Sequence, residues 1–151
     1  MNNLFKTALR FVLKWEGGYV NNKDDKGGAT NYGITQNTYN NWLKAQKLPA
    51  KDVKFISKDE VEKIYYKNYW LKANCDKMSP KFALLVFDTA VNMGVGRVKE
   101  FLEAAQYKYP EKFIFAREAK YKEFAKYGNQ KIFLQGWLNR LAALKIEIEK
   151  L

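Results

Sequence analysis

The chain has 151 residues, 47% of them hydrophobic and 16% aromatic, which is enough apolar surface to build a core and argues against disorder. It holds no histidine and a single cysteine, Cys75, so histidine-activated nucleophiles, histidine zinc sites and an internal disulfide are all excluded. The 27 basic and 16 acidic residues leave a net charge of +11, which points to a polyanionic partner, either nucleic acid or an anionic cell-wall polymer, with a merely solvated, soluble surface as the plainer alternative.

The first segment, "LFKTALRFVLKW", is broken by Lys6, Arg10 and Lys14 and lacks a small-residue cleavage site. It reads as a mature amphipathic helix over residues ~3–16, with Leu4, Ala8, Phe11, Val12 and Trp15 at helical spacing, and not as a signal peptide. Gly17-Gly18 stops it. The stretch from Trp15 to Thr35 then packs five glycines and three acids into a loop or short hairpin. Its turns are predicted at Lys26-Gly27-Gly28 and Asn31-Tyr32-Gly33, with Tyr19, Val20, Tyr32 and Ile34 as strand candidates. Gly27, Gly28 and Gly33 mark positions of positive φ or close chain approach.

Thr35 is placed to cap a helix carrying Tyr39, Trp42 and Leu43 that ends before Pro49. "SKDE" at Ser57–Glu60 has the capping-box pattern and opens a helix bearing Val61, Ile64, Tyr65 and Tyr69. Ser79-Pro80 opens another, with Phe82, Leu85, Val86 and Thr89 on its apolar face and Gly94 at its end. Further helices are predicted at ~97–108, ~111–126 and ~130–150. No run is apolar for long enough to span a bilayer.

With no phosphate-cradling loop or dinucleotide fingerprint, carboxylates are the available acids and bases. Glu16 falls at the C-terminal end of the first helix, where free carbonyls and the flanking Trp15 and Tyr19 favour the protonated acid that protonating a glycosidic oxygen requires. Asp25 and Thr30 follow in a loop able to fold back over Glu16, and could hold an attacking water. A glutamate at a helix end is also a common surface residue, so spacing alone leaves both readings open. Tyr32 offers an aromatic face to a pyranose, or packs within its turn. Asn92 offers an amide to a sugar, or caps its helix. Asp88 reads as structural, paired with Arg97 or a backbone amide; "IYYKNYW" reads as core packing; Cys75 reads as half-buried and without a redox role. Lysines 118–131 read as a solvated helix face.

The string "EGGYVNNKDDKGGATNYGIT" strongly resembles the signature of glycoside hydrolase family 108, peptidoglycan N-acetylmuramidases found among phage endolysins and bacterial lytic proteins. "YYKNYWLKANCDKMSPKFALLVFDTAVNMGVGR" is similar to the family pattern farther along, and "FLQGWLNRL" to the helical peptidoglycan domain that commonly follows. The segment between Gln106 and Gln130 is short for that second domain. The resemblance implies a mainly α, lysozyme-like, two-lobed fold with a small β-hairpin or loop excursion at residues ~17–35. Residues 1–95 would be the catalytic part, and 96–151 a shortened helical domain packed as the second lobe. It implies cleavage of the β-1,4 bond between N-acetylmuramic acid and N-acetylglucosamine, with Glu16 as the catalytic acid. A more distant likeness to phage-type lysozymes favours Asp25 and Thr30 as its partners.

No cofactor or metal is expected, and no nucleic acid, membrane span or oligomer. The partners are peptidoglycan strands and anionic wall polymers. A chain of this kind would be made in the cytoplasm and act at the bacterial cell wall after release or export. The competing reading is a non-catalytic basic helical module that binds nucleic acid or wall polymer.

Overall fold

The computed structural model describes residues 1–23 and 27–151, and its described residues divide into two compact units, Met1–Asn68 and Tyr69–Leu151. In the first unit, α1 (Asn3–Trp15) starts where the Asn2 side chain accepts from the Phe5 amide, and it buries Phe5, Ala8, Leu9, Phe11 and Val12. Glu16 is its C-cap, with an extended backbone whose N–H still donates to Val12 O. The helix therefore ends at the glutamate itself, one residue ahead of the glycine pair.

A two-stranded antiparallel hairpin follows, β1 (Thr30–Asn31) against β2 (Ile34–Thr35), paired Thr30 to Thr35 and Asn31 to Ile34. Val20 adds a bridge by exchanging two backbone hydrogen bonds of 2.8 Å with Thr30. Tyr32 and Gly33 form the two-residue turn at φ 51° and 74°. Positive φ at both central positions is the type I′ pattern, whose twist matches that of the strands. Tyr32 is thus a turn residue and not a strand residue. Gly28, at φ 71°, also has the left-handed backbone that the sequence predicts.

Thr35 ends the hairpin and caps α2 (Gln36–Ala45), its hydroxyl accepting from the Thr38 amide. The following loop is tied to the hairpin from both sides. Asn31 Nδ2 donates to the carbonyls of Val53 (3.1 Å) and Lys54 (3.2 Å), and Gln36 accepts from the Val53 amide at 2.7 Å. Then α3 (Lys58–Tyr65) opens with both halves of the Ser57–Glu60 capping box in place. Glu60 also accepts from Tyr39 Oη at 2.8 Å, which fastens α2 to α3. The chain continues in a π-helical turn over Tyr66–Leu71.

The second unit is built around α4 (Pro80–Met93), buried without a break from Phe82 to Ala90. A helix that is apolar all round belongs at the centre of a bundle, and α5 (Val98–Ala104), α6 (Pro110–Phe124) and α7 (Leu134–Glu149) all pack on it. Gly94 closes α4 at φ 94°. Asp88 is fully buried in this core, but its partners are not the expected Arg97. Arg117 Nη1 on α6 and Arg140 Nη2 on α7 each lie 2.8 Å from its carboxylate. Arg97 instead pairs with Glu100 on the surface and lies over the Phe124 ring.

Trp137 stacks on Tyr121 and meets Phe124 and Phe133, so "GWLNR" supplies one aromatic anchor and one buried cation. Of the lysine-rich stretch, Lys122 is an exposed partner of Glu118, whereas Lys120 is only 23% exposed and bridges Glu100 and Glu123. Cys75 is fully buried and not half-buried, and burial pushes its thiol up to about 12, with Asp76 adding to the shift. No helix among the described residues is long and apolar enough to cross a membrane.

Candidate active site

The end of α1, the hairpin turn and the end of α3 converge on one point. A methyl group placed on Gly33 would sit 2.7 Å from Tyr65 Oη, 2.9 Å from Glu16 Oε2 and 3.2 Å from Glu16 Cβ. The bare backbone of residue 33 is thus what lets the glutamate and the tyrosine hydroxyl come together. Tyr65 Oη donates to the Tyr32 carbonyl at 2.6 Å, which clamps the turn in its left-handed conformation. Glu16 itself is half-buried.

Tyr65 is the residue that periodicity misses. Its 1% exposure fits the core reading of "IYYKNYW", and only the tertiary fold shows that its hydroxyl reaches the turn. Tyr32 is half-exposed and lines a groove on this unit. Tyr19, expected beside Glu16, carries Lys54 Nζ over its ring at 5.7 Å, and Trp15 is 38% exposed. Thr30 is half-buried in β1 and, by strand alternation, leaves the hairpin on the face opposite Asn31. Asp25 lies outside the described residues.

Asn92 belongs to the second unit, where it is half-buried near the end of α4 but does not form the cap. Its Oδ1 accepts from Tyr121 Oη and from Arg117 Nη2, the latter at 3.4 Å. Arg117 also donates to Thr89 Oγ1 at 3.0 Å and to Tyr121 Oη at 2.7 Å. Burial pushes the Tyr121 phenol up, against the opposing pull of Arg117, and it remains a neutral donor. The carbonyl side of Asn92 is thus held from within the second unit.

A half-buried carboxyl at a helix terminus, held beside a tyrosine hydroxyl and a turn backbone, is an arrangement suited to acid catalysis on an uncharged bond. Residues 9–94 match the family described as Glycosyl hydrolase 108. The match covers more than half of the chain and includes Glu16, the hairpin and α4. The chain belongs to glycosyl hydrolase family 108. Its structure is similar to that titled "Structure of Brucella abortus SagA", with a TM-score of 0.77 and 26% identity over 97% of this chain and 94% of that one. No curated protein matches it. The mainly helical, lysozyme-like class with a small hairpin, expected from the sequence, is the class observed. Family membership makes the chain a glycosyl hydrolase with a glycan substrate and implies action on peptidoglycan.

Proposed function

We propose that the protein is an N-acetylmuramidase that cleaves the β-1,4 bond between N-acetylmuramic acid and N-acetylglucosamine, with Glu16 as general acid. The observation that carries this reading is the convergence of Glu16 and Tyr65 on Gly33. The glutamate is supported against the turn instead of swinging in solvent. Glu16 protonates the departing glycosidic oxygen as the sugar develops oxocarbenium character. Asp25 and Thr30 are its proposed partners, the carboxylate activating or orienting water and the hydroxyl positioning it. Tyr32 and Asn92 are proposed to bind sugar. Residues 96–151 act as the helical part that completes the enzyme, which works as a monomer at the bacterial cell wall and without metal.

The test is digestion of purified peptidoglycan, followed by identification of the reducing ends. N-acetylmuramic acid at the new reducing end supports the reading, and N-acetylglucosamine there overturns it. Glu16→Gln is nearly isosteric but has no proton to give, so turnover should fall about 10²–10⁴-fold while the fold is kept. Thr30→Val should cost less than Asp25→Asn, because a neutral hydroxyl can position water but does not take its proton. Near-wild-type turnover by Glu16→Gln would remove the acid from the mechanism.

A further inference from the structure

A second feature of the first unit lies beside the turn that supports Glu16. Lys6, Leu9, Arg10 and Leu13 form one stripe of α1 at helical spacing and face Lys58 and Val61 of α3 across a groove of about 350 Å³. Tyr32 lines the same groove, and a Cβ on its neighbour Gly33 would meet the Glu16 carboxylate at 2.9 Å. The lining joins apolar side chains to a charged rim. Leu9 and Val61 are 7% and 2% exposed, whereas Lys6, Arg10 and Lys58 are exposed. None of these three cations takes part in an ion pair with another described residue. The single acid on the rim is Glu62, so the groove carries an excess of positive charge. A larger groove of about 590 Å³ in the second unit mixes Lys81 and Lys145 with Glu111, Glu118 and Glu149, and selects neither sign.

We propose that the α1–α3 groove is a subsite for the peptide stem of peptidoglycan, the short acidic peptide attached to the lactyl ether of N-acetylmuramic acid. This rests on the muramidase reading, because the stem must hang from the sugar bound at Glu16. The charge is complementary: the stem bears free carboxylates, and the rim offers exposed ammonium and guanidinium groups that form no ion pair with another described residue. The lining discriminates further. Alanine methyls and an aliphatic diamino-acid chain pack chiefly against Leu13, over the floor formed by Leu9 and Val61, whereas a polyol phosphate chain of a wall teichoic acid has far less apolar surface to place there. Tyr32 sits where the groove meets the catalytic turn, so a stem in the groove would hold its sugar in register with Glu16. The enzyme would therefore read the peptide as well as the glycan.

The experiment compares glycan strands that carry their stems with strands stripped by an amidase, for the wild type and for a Lys6→Gln/Arg10→Gln/Lys58→Gln variant. The wild type should show a KM roughly three- to tenfold lower on stem-bearing strands, the size expected for three exposed charge contacts. In the variant the ratio of the two KM values should collapse toward one. Equal KM values for the wild type, or a variant that keeps the wild-type ratio, would overturn the groove assignment and leave the muramidase reading intact. If the wild type cuts neither strand, the muramidase reading fails instead, and a binding measurement then decides the groove. A free synthetic stem tetrapeptide titrated into the full chain should shift the amide resonances of Leu9, Leu13 and Val61 in the wild type and not in the variant. Shifts with polyglycerol phosphate and none with the peptide would make the ligand a phosphate polymer and overturn the proposal.

Discussion

A side chain at position 33 would have to occupy the space where Tyr65 Oη and Glu16 Oε2 meet, on a backbone at φ 74° that L-residues rarely adopt. Gly33→Ala should therefore cost about 1–3 kcal/mol in stability and also displace the carboxyl, lowering kcat more than a surface loop change of equal destabilisation. Denaturant midpoints and kcat measured on the same preparations check this. A stable, fully active Gly33→Ala would mean that the Glu16–turn contact is dispensable. Tyr32 makes the converse case, since a bulky side chain at φ 51° is strained and Asn is favoured there in a type I′ turn. Tyr32→Asn should raise stability by about 0.5–1 kcal/mol while raising KM, because the ring is lost from the groove. A functional residue that opposes the local backbone preference is the usual form of a stability–activity trade.

Among the elements, α2 and α3 are joined by a titrating bond. Burial alone would push the Glu60 carboxyl up, but the Ser57 amide, the Tyr39 hydroxyl, the Ser57 hydroxyl and the Lys51 ammonium outweigh it and hold the group below its ordinary value. Tyr39 is pushed well above its ordinary range, by burial first and then by Glu60. Because the folded value for Glu60 is the lower one, the unfolded chain binds its proton first as pH falls. Its contribution to stability is complete above the unfolded carboxyl pKa of about 4.3 and disappears as pH drops through the folded value. Acid denaturation followed by circular dichroism should show a shallower acid limb in Glu60→Gln, and an unchanged limb would remove Glu60 from the linkage. In the second unit, Asp88→Asn would leave Arg117 and Arg140 buried without their carboxylate, at a cost of about 3–5 kcal/mol. Lys99→Ala, at an exposed pair with Glu103, should leave the denaturant midpoint where it is. The contrast between these elements explains what could be read beforehand. Caps and stripes are local, so the Ser57–Glu60 box, the Thr35 cap and the starts at Asn3 and Pro80 are visible in a few consecutive residues. The choice of Arg117 and Arg140 over Arg97 as partners of Asp88 depends on which helices stack, and no spacing along the chain encodes that.

For the molecule as a whole, the net charge of +11 should make hydrolysis of intact walls fall as salt rises to several hundred millimolar, while a short uncharged glycan is cut at a nearly constant rate. Turbidity clearing and oligosaccharide hydrolysis, run in parallel salt series, test this. Equal sensitivity on both substrates would assign the effect to the catalytic unit and not to attraction. Glu16 and the hairpin were legible because they fall in one contiguous string that carries a family signature, whereas Tyr65, more than thirty residues away from its acceptor, was not. The separation of Asp88 from Arg140 by 52 residues has a consequence for how the protein is made. Synthesis is vectorial, so α4 leaves the ribosome with a carboxylate and an apolar face well before Arg140, Leu141, Leu144 and Ile148, which help to cover it, have been made. A chain cut short before α7 leaves Asp88 without Arg140 and part of α4 uncovered. Copies terminated before α7 should expose that apolar surface to proteases, so deleting residues 134–149 should lower the yield of folded protein.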